Sequence, residues 1–324
     1  MHSCTSFLHP FENMSTTTLV VLLLVSFTTD LCFASRKLNS LYQPPPTIFT
    51  YHNGPLLEGH IPISILWYGA FTPNQKAIVS DFILSLAPDG RDRSPTLPTS
   101  VAEWWETVDY YVRKAGKRTT EIILSNQISD AGYSLGKLLN RAQMSELAAR
   151  LGVMRGGAAV VLTAADVAVD GFCTSACGSH SHSHSRSAAH VWVGDSAAQC
   201  PGRCAWPFHV ADYYGPRAGH VAALGAPNGD VGVDGMVTNL AILLAGAVTN
   251  PYGGGYYEGD GGAPVEVGAA CPGAYGRGAY PGYAGELRVD PVSGGSYNVV
   301  GVNGRKYLVP ALWDPVSRSC KIPV

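Results

Sequence analysis

Residues 236–248 read Met-Val-Thr-Asn-Leu-Ala-Ile-Leu-Leu-Ala-Gly-Ala-Val and form the longest apolar stretch of the chain after its first 34 residues. This run carries no charged side chain and is shorter than the roughly 20 residues that a membrane-spanning helix needs. It therefore predicts a buried helix, with Asp234 as its N-cap. No membrane span is expected in the mature chain, so the helix must be surrounded by other elements of a soluble fold.

Outward from this helix, strand-like and helix-like segments alternate. The β-rich or buried apolar segments lie at 61–68, 121–124, 157–169 and 190–193. Helices are predicted to begin at Thr72-Pro73, at Ser100 and at Arg141, the last ending near Leu151. From Pro251 onward Gly, Pro and Tyr dominate, which indicates turns and short strands. The order predicts one mixed α/β domain over residues 47–324, with a central sheet, flanking helices and a Gly/Tyr-rich irregular C-terminal part.

The first 34 residues are typical of a signal peptide. Residues 19–27 read Leu-Val-Val-Leu-Leu-Leu-Val-Ser-Phe, the length of an apolar signal core, and small-residue cleavage chemistry follows at Ala34. No Lys or Arg precedes the run, and initiation at Met14 instead of Met1 would remove Glu12. A polar, Pro-rich arm is expected at 35–46. Loss of Glu12 and Asp30 brings the net charge of −2 to zero, which implies no nucleic-acid partner.

Six cysteines remain in the mature chain. The arrangement of two Cys-x-x-x-Cys pairs is compatible with four zinc ligands, whereas the even count in an exported chain favours three disulfides. Sequence does not choose among the fifteen pairings of six cysteines. We predict disulfides, with the pairing open, at Cys173, Cys177, Cys200, Cys204, Cys271 and Cys320.

Two aspartate pairs repeat one pattern, Asp-Val-x-Val-Asp-Gly. Paired carboxylates supply the acid and base of hydrolysis or the ligands of calcium. The alternative is that they end a strand and cap a helix. These carboxylates are the candidate catalytic residues: Asp166, Asp170, Asp230 and Asp234.

Other candidate sites have weaker support. The Ser/His alternation at 179–184 would place His180, His182 and His184 on one face of a strand, as metal ligands are, or it is a low-complexity loop. Exposed aromatic side chains would stack on sugars, although aromatics more often fill a core. No nucleophile elbow and no phosphate-binding glycine motif is present. The sequence predicts neither a resident metal nor a cofactor. The aromatic candidates are Trp104, Trp105, Trp206, Tyr213, Tyr214, Tyr256 and Tyr257.

Several long blocks together resemble the plant EXORDIUM-like, or phosphate-induced, proteins. The blocks lie at 51–55 (Tyr-His-Asn-Gly-Pro), 65–69, 166–173, 199–209, 227–236 (Pro-Asn-Gly-Asp-Val-Gly-Val-Asp-Gly-Met), 247–251, 278–283 and 303–307 (Asn-Gly-Arg-Lys-Tyr). They cover nearly all of the mature chain. The resemblance implies a secreted protein of the plant apoplast or cell wall, linked to hormone-promoted growth and cell expansion. It supplies no catalytic mechanism.

A fainter resemblance is to a zinc-peptidase domain without its metal ligands. Residues 238–246, in the helix that would carry two His and a Glu, hold none of these residues. We therefore expect a protein that acts by binding a cell-wall component or an extracellular receptor. The alternative is a wall-polysaccharide hydrolase, or another hydrolase, that uses the paired aspartates.

Overall fold

The computed structural model describes residues 48–88, 98–182, 188–210 and 222–323. The predicted signal peptide and Pro-rich arm lie outside the described residues. The described residues belong to one compact unit, Pro46–Val324.

A five-stranded sheet lies at the centre of this unit. Its strands across the sheet are β3 (Glu121–Asp130), β2 (His60–Tyr68), β5 (Ala158–Thr163), β8 (Ala189–Gly194) and β7 (Gly178–His182). The first four are parallel, and β7 pairs antiparallel to β8 at one edge. The carboxyl ends of four strands therefore meet at one edge, where ligand sites of open α/β sheets usually form.

Helices cover both faces of the sheet. The helices are α1 (Pro73–Leu84), α2 (Val101–Lys114), α3 (Arg141–Ala149), α4 (Pro201–Cys204) and α5 (Val231–Thr249). Alternation along the strands directs Ile63, Ile65 and Val160 towards α1, α2 and α5, whereas Leu66 and Val161 pack with α3. Each buried Leu or Ile side chain contributes about 1.5–3 kcal/mol, so these two apolar layers hold the domain together.

Short antiparallel or parallel ladders complete the described chain. They pair β1 (Thr50–Tyr51) with β9 (Tyr256–Tyr257), β4 (Leu138–Leu139) with β6 (Ala168–Val169), β10 (Arg288–Val289) with β11 (Ser296–Tyr297), β12 (Val299–Val300) with β13 (Lys306–Tyr307), and β14 (Leu312–Asp314) with β15 (Ser319–Lys321). The predicted mixed α/β domain with a central sheet and flanking helices is confirmed.

Helix α5 is the predicted buried helix, but its cap differs from the prediction. Asp230 is the N-cap: its Oδ1 accepts a hydrogen bond from the Val233 amide at 3.0 Å. Asp234 lies in the first turn, so its assignment as the cap is wrong. The helix is long and apolar enough to cross a membrane, yet 78% of that window is buried inside the domain, as in a core helix.

Two strand boundaries also differ from prediction. Strand β3 continues through the mostly polar residues 125–130, because an edge strand needs apolar side chains on only part of its surface. The buried strand expected at 157–169 ends at Thr163 and is followed by a turn and β6. Of the two alternatives for the Ser/His tract, the start is extended: Gly178–His182 form β7.

The structure pairs the six cysteines that were predicted to form disulfides. Cys173 bonds Cys200, Cys177 bonds Cys204 and Cys271 bonds Cys320. Each Cys-x-x-x-Cys motif is thus joined to the other motif by two parallel bridges. Among the described residues, no group of three or more His, Cys, Asp or Glu side chains is arranged to hold a metal ion.

Candidate functional site

Two of the predicted aspartates lie where β8 ends and α5 begins. Besides capping α5, Asp230 accepts a hydrogen bond from Gln75 Nε2 at 2.9 Å through its Oδ2. Asp234 is 2% exposed and accepts hydrogen bonds from the Asn228 amide at 2.9 Å and from Asn228 Nδ2 at 2.6 Å. Both carboxylates are therefore committed to holding the start of α5 in place.

A third carboxylate, Asp195, joins this group and was missed in the sequence. It follows β8 directly, is 4% exposed, and its Oδ1 accepts from the Ala197 amide at 2.9 Å. Gly232 permits this arrangement, because a Cβ there would lie 2.1 Å from Asp195 Oδ1. Its position after a buried parallel strand was the only available signal.

Burial perturbs the ionisation of this cluster. Desolvation raises the pKa of Asp234 to about 6, the Asn228 hydrogen bonds oppose that rise, and the Asp230 charge adds to it. Desolvation also raises the pKa of Asp195, again helped by Asp230. A raised carboxyl pKa is a property of general acids. A substrate, however, does not reach side chains that are 2% and 4% exposed.

The other predicted pair separates on the surface. Asp166 accepts from the Tyr133 hydroxyl at 3.0 Å and forms an ion pair with Lys137, whose hydrogen bond lowers the pKa of Asp166. Asp170 is exposed and follows β6. Among the described residues, none contacts the Asp170 carboxylate through a hydrogen bond or ion pair. The repeated sequence pattern therefore does not assemble four carboxylates into one site.

Asp170 instead lies at the rim of a pocket of about 410 Å³. The pocket opens beside α3, where the sheet continues to β8 and β7. Helix α3 contributes lining side chains that are three or four residues apart along one helix face. The sheet and the loop between Cys173 and Cys177 form the other walls. The residues that line the pocket include Arg141, Met144, Ser145, Ala148, Val161, Asp170, Ser175, Ser179, His190 and Trp192.

The polar groups of the pocket are available to a ligand. Within the described ranges, neither the Arg141 guanidinium nor the His190 imidazole has a side-chain partner. Burial lowers the pKa of His190 and so favours its neutral form. The Trp192 indole is fixed by donating from Nε1 to Thr163 Oγ1 at 3.1 Å. Arg141, Ser179 and His190 converge only through tertiary structure and were not predicted.

The remaining sequence candidates have structural roles or incomplete descriptions. Trp104 and Trp105 are buried and donate to Pro310 O and Thr120 Oγ1, so they fill the core. His180 faces α5, where its Nε2 contacts Glu266 Oε2. Tyr256 is buried, Trp206 and Tyr257 are half-buried, and Tyr213, Tyr214 and His184 lie outside the described residues, as does the side chain of His182.

Residues 49–323 match the sequence profile of the family described as "Phosphate-induced protein 1 conserved region". The chain belongs to this phosphate-induced protein 1 family. It is 50% identical over 311 residues to "Protein PHOSPHATE-INDUCED 1" of Nicotiana tabacum, covering 93% of this chain and 96% of that relative. It is 52% identical over 282 residues to "Protein EXORDIUM-like 1" of Arabidopsis thaliana, covering 85% and 89%. The resemblance drawn from the sequence blocks is confirmed.

A third relative extends the same relationship within the family. "Protein EXORDIUM" of Arabidopsis thaliana is 48% identical over 304 residues, covering 90% of this chain and 94% of the relative. No solved structure matches this chain.

Two of the sequence blocks that resemble the family contact each other in the fold. Asn228, in the block at 227–236, accepts from Arg305 Nη1 at 3.2 Å, and its Nδ2 donates to Lys306 O at 3.1 Å. Arg305 also donates from Nε to Asp81 at 2.8 Å, and the Tyr307 hydroxyl donates to Ile78 O at 2.9 Å. The block at 303–307 thus fastens the C-terminal segment to α1 and to the start of α5.

Proposed function

We propose that this chain is a secreted protein of the plant apoplast or cell wall that promotes hormone-dependent growth and cell expansion. It acts by binding a wall component or an extracellular receptor. Family membership supports a growth-related role in plants. Three disulfides support export, because such bridges persist in oxidising compartments outside the cytosol.

The single observation that favours binding is the state of the predicted aspartates. Hydrolysis of a glycosidic bond needs two carboxyl groups that face one open cleft, about 5–9.5 Å apart. Here Asp230 and Asp234 hold the start of α5, and Asp166 is paired with Lys137. Asp170 is available, but it contributes a single carboxylate to its pocket. This arrangement supports recognition of a ligand better than acid–base chemistry.

A hydrolase remains the second candidate. The observation that favours it is the raised pKa of Asp234, about 6, next to Asp230 and near Asp195. Access to this cluster would require α5 to move, because Asp195 and Asp234 are buried at the first turn of that helix. The likeness to a zinc-peptidase domain without its ligands also stays a hypothesis, and α5 carries no His or Glu.

Conservative variants of two aspartates test the choice between binding and hydrolysis. Asp166→Asn and Asp230→Asn keep side-chain shape, and Asn is as good an N-cap as Asp. We expect secreted versions of both to support cell elongation within about twofold of the unchanged chain, because neither carboxylate performs chemistry. The measurement is cell length in seedlings that lack the endogenous protein and express each variant.

Thermal unfolding of the purified variants supplies the control for folding. Cells no longer than those of seedlings that lack the protein, with an unchanged unfolding temperature of the variant, would assign chemistry to the altered carboxylate and favour the hydrolase.

A further inference from the structure

We propose that the pocket between α3, β7 and β8 binds a neutral saccharide unit, through the exposed Arg141, Asp170 and Ser179 at its rim and the half-buried His190 at its floor. This inference rests on the proposed binding function and names the ligand class and its site. The pocket volume of about 410 Å³ falls within the range of small-molecule sites, about 300–1,000 Å³.

The rim combines opposite charges that have no described partner. In the β4–β6 ladder Leu139 lies opposite Val169, and the Asp170 amide donates to Leu139 O at 2.9 Å. Asp170 therefore lies close to the start of α3, where Arg141 is the first residue. The guanidinium donates hydrogen bonds and the carboxylate accepts them, so neighbouring hydroxyl groups of a sugar satisfy both.

The charge balance of the rim selects against strongly charged ligands. An anionic ligand would be attracted by Arg141 and repelled by Asp170, and a cationic ligand would meet the reverse. A ligand with many hydroxyl groups and no charge gains from both groups. Hydrogen bonds to charged groups are stronger than those between neutral groups, so the loss of either rim side chain should weaken binding measurably.

Two polar side chains, Ser179 and His190, lie next to Trp192 on the sheet wall of the pocket. Ser179 lies directly opposite Trp192 across the β7–β8 pair, and His190 is two residues before Trp192 on the same face of the sheet. A neutral imidazole offers one donor and one acceptor, and the Ser179 hydroxyl offers both. Met144 and Trp192 line the same pocket and provide the apolar surface against which the C–H face of a sugar ring packs.

The walls of the pocket are held in place before any ligand binds. Cys173–Cys200 and Cys177–Cys204 enclose Ser175 and Ala176, which line one side. The Phe172 ring packs edge-on against Trp192 at 5.7 Å between centroids. A preformed site loses less conformational entropy on binding, which favours recognition of a flexible, hydroxyl-rich ligand.

Titration calorimetry with purified, secreted protein tests this assignment. The probes are neutral cello- and xyloglucan-derived oligosaccharides and, as the charged arm, oligogalacturonides. We expect the neutral probes to bind, and Arg141→Gln and Asp170→Asn each to weaken that binding by about tenfold or more. The matched controls are Arg150→Gln and Asp166→Asn, which alter the same residue types outside the pocket and should bind within about twofold.

Three outcomes would overturn the proposal. Neutral probes that bind Arg141→Gln and Asp170→Asn as tightly as the unchanged chain would place the site elsewhere. Binding of oligogalacturonides alone would contradict the ligand class. Retention of the protein by wall material without binding of any oligosaccharide would refute this inference and leave the proposed function unaffected. The absence of any wall or receptor binding would instead refute the proposed function itself.

Discussion

Replacing Cys271 and Cys320 together with serine is expected to lower the free energy of unfolding by about 4 kcal/mol. The bridge joins residues 49 positions apart and therefore restricts a long loop of the unfolded chain. The bridge also joins β15 to the segment after α5. Strand β15 pairs with β14, where the Trp313 carbonyl accepts a hydrogen bond from the Tyr111 hydroxyl at 3.0 Å. Equilibrium unfolding in urea without reductant measures the loss.

The double variant Cys173→Ser/Cys200→Ser is the matched comparison. That bridge spans 27 positions, but Cys177–Cys204 spans 27 positions offset by only four residues at each end. The unfolded chain of this variant stays closed into nearly the same loop, so we expect a loss well below that of the first variant. Equal losses in the two double variants would contradict this account of the bridges.

The second large effect is a dependence of stability on pH through Asp234. Its pKa is about 6 in the folded protein against an ordinary value of 3.8. Between these values the folded state keeps a proton that the unfolded state releases, so the contribution to stability is complete below pH 3.8 and is lost as pH rises through 6. At about 1.4 kcal/mol per pKa unit, the loss is on the order of 3 kcal/mol.

Asp234→Asn should therefore flatten the stability profile between pH 4 and pH 6, although it forfeits a hydrogen bond to Asn228. Urea unfolding of both proteins at intervals across this range measures the difference. Asp166→Asn is the control: Lys137 lowers the pKa of Asp166, so its removal should leave this interval unchanged. Parallel profiles for the unchanged chain and Asp234→Asn would show that Asp234 does not hold a proton in the folded state.

Local signals predicted the parts of the fold that local interactions decide. Thr72 and Ser100 each begin a helix, and each forms the reciprocal hydrogen bonds of a capping box with a residue three positions later. Asp234 was mistaken for a cap because the apolar run begins just after it. The helix actually begins four residues earlier, across Gly232, whose presence is explained only by the tertiary approach of Asp195.

The pocket could not be predicted from the sequence for a similar reason. Asp170 was a candidate because of the aspartate repeat, but its neighbours Arg141, Ser179 and His190 come from three elements that strand pairing brings together. The cysteine spacing left zinc and disulfides open, since only the fold sets the distance between the two motifs. A polar edge strand such as β7 lacks the apolar alternation that identifies buried strands.

The central claim is that this protein acts by binding and not by hydrolysis. The most direct test incubates the secreted protein with isolated plant cell-wall material and measures, in one sample, protein removed from solution and soluble sugar released. We expect saturable removal of protein with no more sugar released than by a heat-denatured control. Sugar release in proportion to the protein added, abolished in Asp230→Asn or Asp234→Asn, would contradict it.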